Sequence, residues 1–284
     1  MKAPAFAYAR PATLEAALAL LERHGEEAQI LAGGQSLMPS LAFRLSAPAI
    51  LVDINRIAAL QGIERQGDDI RIGALTRHAE VERSDIVRAD LPLIAAAISH
   101  VAHPAIRNRG TFGGSLALAD PAAELPACAV ALEARLVLAS AAGRRTVAAR
   151  DFFRGLFQTD RRPQEILIEA LIPRQRAGQR SVFLELSRRH GDFAVAGIAC
   201  QADFAAHRLA ALRLVVFGSE PYPRLARHAA AAAGAAAPGD LGELVAEALA
   251  RDLDPIEDQH GGRAMKRHWA QLLARRAMAQ LAVA

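Results

Sequence analysis

Apolar residues at Leu14, Ala17, Leu18 and Leu21 recur at helical spacing, with Thr13 at the capping position and Gly25 at the far end. That pattern predicts a helix followed by a short apolar strand, 29–31, which runs straight into Gly33-Gly34. A second short strand is expected at 50–54. Helix, strand and glycine turn together suggest a small α/β unit over residues 1–55.

A second segment, 56–177, mixes both periods. A strand at 70–75 leads into a helix opened at or just after Thr76, and 91–101 is apolar enough for a buried helix. Residues 107–119 carry a second glycine cluster and read as a loop. Asp120 is a favoured cap and Pro121 a favoured first helical residue, so a helix is expected over 120–131. Segments 135–140 and 145–148 form a hairpin around Ala141-Ala142-Gly143, and a strand at 166–172 stops at Pro173. The third segment, 178–284, opens with strand-like runs at 181–187, 194–204 and 208–217, a three-stranded antiparallel sheet. Helices follow at 223–233, 241–250 and 262–283, with the alanine-rich run 229–237 as a helix end plus linker. The expected class is α+β.

Composition narrows the function. The chain has 284 residues, 52% hydrophobic but only 5% aromatic, so its cores are built from Ala, Leu, Ile and Val. The net charge of +4 is spread among mixed Arg, Asp and Glu with no basic stripe, which argues against nucleic-acid binding. Cys128 and Cys200 are the only cysteines, far apart, so neither a disulfide scaffold nor an iron–sulfur cluster held by this chain is expected. The N-terminal stretch MKAPAFAYARPATLEAA lacks an apolar core, and no window reaches 18 apolar residues, so no transmembrane segment is expected. A cytoplasmic protein is expected, at a membrane only through a partner.

Standard catalytic and phosphate motifs are absent. There is no GxGxxG, GxxxxGK[ST] or HExxH; Gly34-Gln35-Ser36-Leu37-Met38 misses the GxSxG elbow because Met38 stands at the second glycine. His100 and His103 have no nearby carboxylate in sequence and are assigned to packing, so neither a metal ligand nor a catalytic residue is named. What remains is two glycine pairs, Gly33-Gly34 before Ser36 and Gly113-Gly114 before Ser115. Glycine admits positive φ and close backbone approach, and a turn of free N–H groups is an anion nest. Two such turns suggest one phosphate-bearing ligand facing both.

Four stretches carry a family resemblance: AGGQSLMP at 32–39, TFGGSLALADPAAELPA at 111–127, SRRHGDFAVAG at 187–197 and HGGRAMKRHWAQLLARRAM at 260–278. In order and spacing they resemble the medium, FAD-binding subunit of molybdenum hydroxylases, the carbon monoxide dehydrogenase and xanthine dehydrogenase relatives. The resemblance implies a two-subdomain FAD-binding domain of the vanillyl-alcohol-oxidase (PCMH) type, followed by a C-terminal antiparallel sheet with helices. It implies that Ala32, Gly33, Gly34, Gln35, Ser36 and Leu37 form one pyrophosphate loop, and Thr111, Gly113, Gly114 and Ser115 the other, both working through main-chain amides. Asp120 would meet flavin-side hydroxyls, with Gly73 and Ala74 near the cofactor. Arg188, Arg189 and Asp192 resemble the motif that opens the third domain.

The resemblance further implies that a large subunit holds the molybdopterin centre and a small subunit holds two 2Fe–2S clusters, in a dimer of heterotrimers. FAD on this chain would collect their electrons for NAD, a quinone or O2, the cofactor carrying the redox chemistry. Two features depart from the pattern: Leu184-Glu185 stands where several relatives place a lysine near the flavin ring, and Gln35 where others have histidine. Two other functions remain open at this point. One is a stand-alone FAD-dependent oxidoreductase with its own substrate site, although tyrosine is limited to Tyr8 and Tyr222. The other is an assembly subunit with a decayed nucleotide site.

Overall fold

The structure is a computed structural model and describes residues 2–205, 208–235 and 240–283. Helix Leu14–His24 forms as its spacing predicts: the Thr13 hydroxyl accepts the Ala16 N–H at 3.2 Å, Gly25 ends it at φ 54°, and Ala17, Leu18 and Leu21 are buried. Strand Ile50–Asp53 lies at the centre of a three-stranded parallel sheet, between Ala28–Leu31 and Ala7–Ala9. All four of its residues are buried, as expected of a parallel strand covered on both faces.

The second sheet has five antiparallel strands in the order Ile63–Gln66, Asp69–Gly73, Ile166–Pro173, Arg135–Ser140 and Gly143–Ala148. The hairpin turn is tighter than expected, because Gly143 at φ 128° already pairs with Ser140. Two expected helices shift. The span 91–101 is helical only over Pro92–Ala97, and the chain turns away through Ala102 at φ 47°. The helix expected from Asp120 starts at Glu124 instead and runs to Ala131. The Asp120 Oδ1 accepts the Ala122 N–H at 2.9 Å, so Asp-Pro opens a local turn rather than a helix. Conversely, the glycine cluster expected to be a loop contains helix Phe112–Leu118.

The C-terminal sheet contains the three expected strands, here Gln179–Leu186, Ala196–Ala205 and Arg208–Phe217, plus a fourth, two-residue strand, Arg224–Leu225. That extra strand displaces the expected helix start at Pro223, and the helix runs over Arg227–Ala235. Ala236 and Ala237 of the alanine-rich run lie outside the described residues. Helices Leu241–Leu249 and Arg263–Val283 follow; the latter lays Ala270, Leu273, Ala274, Ala277, Met278 and Leu281 on one face of the sheet, against Val182 and Ile198. Gly197 is required here, since a Cβ on it would lie 2.2 Å from the Phe217 ring.

The other face of this sheet does not close on itself. Phe183, Ala199, Val215 and Phe217 share a core with Ile94, Ala97, Leu125, Ala127 and Leu136 of the preceding segment. The two halves therefore meet through continuous packing, and a large cavity opens along their junction.

Candidate functional site

That cavity has a volume of about 1240 Å³. Strand Ala28–Leu31 delivers the first glycine turn to it. Gly34 takes φ 73°, and helix Leu37–Ala42 begins as the Met38 N–H reaches the Gly34 carbonyl at 3.0 Å. The side chain of Gln35 donates to the Gly33 carbonyl at 3.0 Å. Among the described residues, the amides of Gly33, Gly34, Gln35, Ser36 and Leu37 donate to no protein acceptor, and all five residues line the cavity. A row of free N–H groups around a positive-φ glycine is an anion nest.

The second turn is different in kind. Thr111 caps helix Phe112–Leu118, accepting the Gly114 N–H on Oγ1 at 3.2 Å and the Ser115 N–H on its carbonyl at 3.1 Å. The Phe112 and Gly113 amides donate to the Thr76 and Ala74 carbonyls, each at 2.9 Å. The amides from Phe112 to Ser115 are thus already bonded within the protein, whereas among the described residues the Thr111 amide donates to no protein acceptor, so the second turn has one free N–H where a main-chain cradle is expected. What it offers the cavity is the Ser115 hydroxyl and a bare surface over Gly113 and Gly114.

The glycines serve close approach as much as any ligand. A Cβ on Gly33 would lie 2.5 Å from the Arg109 carbonyl oxygen, and one on Gly113 would lie 2.4 Å from the Ala74 Cβ. The two turns, distant in sequence, therefore touch. Ala32, Ala74, Thr111 and Asp120 also line the cavity, but Gly73 does not; a Cβ there would strike the Leu60 carbonyl at 2.5 Å. Gly73 belongs to the packing behind the wall.

A polar network absent from the sequence expectations pins the turns. The Asn55 Nδ2 donates to the Ala32 carbonyl at 2.8 Å and to Asp53 Oδ1 at 2.6 Å, while its Oδ1 accepts from Arg77 at 2.7 Å. Arg77 also donates to the Arg109 carbonyl. Tyr8 donates to Asp53, and Arg10 lies 3.2 Å from it. The Tyr8 hydrogen bond, the Asn55 donors and the Arg10 charge outweigh burial and hold the Asp53 carboxyl below its ordinary range. The one sequence signal was Asp-x-Asn directly after a buried strand, a common turn pattern.

The C-terminal half supplies the opposite wall through Arg188, Gly191, Asp192, Phe193, Gln259 and His260; Arg189 is not part of it. Between these walls sit Asp120 and Glu124. Burial raises Asp120, and burial with the Glu185 and Asp120 charges raises Glu124 to about 8. His78, buried on the second turn's side with neither ring nitrogen hydrogen-bonded, is pushed down to about 4. Among the described residues no group of acidic, histidine or cysteine side chains is arranged to hold a metal ion, and no helix is long and apolar enough to cross a membrane.

Residues 4–175 match the family model described as the FAD binding domain in molybdopterin dehydrogenase, and residues 181–281 match that of the CO dehydrogenase flavoprotein C-terminal domain. The nicotine 6-hydroxylase medium subunit of Paenarthrobacter nicotinovorans is 37% identical over 281 residues, 99% of this chain and 98% of that one. The 6-hydroxypseudooxynicotine dehydrogenase complex subunit alpha of the same organism is 45% identical over 199 residues, 70% of this chain and 67% of that one. Among solved structures, the carbon monoxide dehydrogenase of Hydrogenophaga pseudoflava lacking the Mo-pyranopterin moiety of its molybdenum cofactor superposes with a TM-score of 0.95 at 37% identity, covering 98% of each chain.

Proposed function

The chain belongs to the FAD-binding medium-subunit family of the molybdenum hydroxylases, and on that premise we propose that its junction cavity holds one FAD that relays electrons out of a larger complex. The observation that carries the proposal is the row of five unbonded amides from Gly33 to Leu37 facing the cavity. That row suits the pyrophosphate of a dinucleotide: it offers donors without a competing carboxylate in the turn. Ser115 adds a hydroxyl from the second turn, and Asp120 provides an acceptor for sugar hydroxyls. Ala32, Ala74 and Thr111 shape the wall between them.

FAD, when bound, supplies the exchange of electrons between one-electron and two-electron partners. The protein's part is to grip the diphosphate and to exclude water with walls from both halves, and no residue here is assigned a bond-making role. Cys128 and Cys200 are buried and far apart in sequence, so any iron–sulfur clusters belong to another subunit. We assign the 2Fe–2S clusters to a small partner and the molybdopterin centre to a large one, in a dimer of heterotrimers located in the cytoplasm. NAD, a quinone or O2 takes the electrons away. Relatives named as medium subunits support this assembly.

The test is direct. The full chain, purified with FAD, should show flavin absorbance at about one equivalent, released on denaturation as free FAD. Folded protein that takes up no flavin would refute the proposal.

A further inference from the structure

A dinucleotide brings a doubly charged diphosphate into the cavity, and the amides of 33–37 answer that charge with dipoles alone. Among the described residues the arginines that line the cavity are Arg154, Arg161 and Arg188. Arg154 is engaged by the Asp160 carboxylate at 2.9 Å. Arg188 is an exposed residue of the C-terminal wall, where it reaches the Gln259 carbonyl at 3.4 Å. Arg161 is the one whose charge has no use inside the protein.

Arg161 is half-buried, and its main chain is pinned by donation of its N–H to the Thr159 Oγ1 at 3.3 Å. Its Nη1 donates to the Arg162 carbonyl at 3.1 Å and to the Glu165 carbonyl at 2.9 Å, which fixes the guanidinium in place. The carboxylates beside it are already taken. Asp160 pairs with Arg145 and Arg154, while Glu165 receives Arg145 at 2.6 and 2.7 Å and the Arg162 N–H at 2.7 Å. Among the described residues Arg161 forms no ion pair, and its Nε and Nη2 meet no acceptor, yet neither is sealed inside the protein. Those two nitrogens are the parallel-donor edge of the guanidinium, the edge that fits two oxygens of a phosphate. Burial works against the charge, so an anion arriving in the cavity relieves a cost already present.

The position of Arg161 indicates which part of a dinucleotide it meets. Ile166, directly after Glu165, shares a core with Ala28 and Ile30 of the strand that delivers the first turn, and all three line the cavity. The opposite end belongs to Asp120 and Glu124, where the Gly218 N–H holds the Pro121 carbonyl at 2.8 Å and so joins that end to the C-terminal half. Carboxyls accept from the hydroxyls of a ribityl arm and repel phosphate. The flavin arm therefore suits the Asp120 end, and the other arm suits the end beside Arg161.

We propose that Arg161 grips the adenylate half of the bound dinucleotide through its free Nε–Nη2 edge, and that this contact makes the chain select FAD over FMN. The proposal rests on the FAD reading above and adds to it the cation that neither glycine turn supplies.

The experiment titrates the full chain and the variants Arg161→Gln and Arg161→Lys with FAD, FMN and ADP, followed by flavin fluorescence and calorimetry. In Arg161→Gln the Kd for FAD and for ADP should rise on the order of tenfold to a hundredfold. The Kd for FMN should stay unchanged, since FMN carries no adenylate. Arg161→Lys keeps the charge without the two-donor edge and should fall between. In the parent chain ADP should displace FAD, with a Kd that rises as KCl screens the ion pair. An equal loss for FAD and FMN would make Arg161 a structural residue and overturn the proposal. So would an unchanged Kd for FAD and ADP, or ADP that fails to compete with FAD; these last two readings stand on Arg161→Lys and the parent chain should Arg161→Gln fail to fold. A folded parent chain that binds neither FAD nor FMN would instead strike down the FAD reading itself.

Discussion

Gly33 stands so close to Arg109 that a Cβ on it would come within 2.5 Å of the Arg109 carbonyl oxygen and 2.9 Å of the Gly110 Cα. The obstacle is backbone, which cannot swing aside as a side-chain tip can. The two glycine turns hold their spacing through this contact.

Gly33→Ala should therefore force the turns apart. Overpacking of this kind costs about 1–3 kcal/mol, and the displaced amides should grip FAD less well. Calorimetry should show a lower melting temperature, and flavin absorbance a reduced occupancy. Full occupancy with native stability would mean that the contact does not set the site.

Asn55→Ala removes both donors that tie Ala32 to Asp53 and the acceptor that receives Arg77. Leaving buried partners unsatisfied costs about 1–3 kcal/mol. Urea unfolding should register that loss, and FAD binding should weaken with it, although Asn55 itself does not line the cavity.

A Cβ on Gly114 would lie 2.6 Å from Thr111 Oγ1, the atom that caps the helix. Gly114→Ala and Thr111→Ala should each cost about 1 kcal/mol by breaking the same cap. The double variant should be less destabilised than the sum, since both changes remove one bond. Strict additivity would show that Gly114 is constrained by something else.

The raised Glu124 carboxyl gives stability a pH slope. Its folded value, about 8, exceeds its ordinary 4.5, so the folded chain holds the proton more tightly. The resulting stability is complete below about pH 4.5 and drains away as pH rises toward 8. Glu124→Gln should flatten the slope of the denaturation midpoint across that window.

His78 acts in the opposite direction, because its folded value of about 4 lies below the ordinary 6.5. Its contribution is present above about pH 6.5 and is lost as pH falls toward 4. His78→Asn should remove that acid-side loss, seen as melting temperatures that fall less steeply below pH 6.5 than those of the parent chain.

Readable and unreadable features separate on physical grounds. Helix Leu14–His24 and the long C-terminal strands were readable because period, cap and stop signal are contiguous in the chain. Strand Ala7–Ala9 was not, since its three residues become a strand only by pairing with Ile50–Asp53. Helix Phe112–Leu118 is hard to read locally, since each glycine lowers helix propensity by about 1 kcal/mol; the Thr111 cap and the contact with Ala74 override that. The glycine pairs marked the cavity correctly in position, yet only the first leaves its amides free. The links from Asn55 to Arg77 and from Tyr8 to Asp53 join segments remote in sequence, and no local pattern announces them.

The core that Phe183, Ala199, Val215 and Phe217 share with Ile94, Leu125 and Leu136 has a bearing on how this molecule can be dismantled. Cleaving the connection between Pro173 and Gln179 would not release two self-sufficient pieces, because each fragment would carry half of an oily seam that nothing else can cover. Heat should consequently melt the chain as one cooperative body, and shortened versions ending near that link should aggregate rather than persist as a smaller flavoprotein.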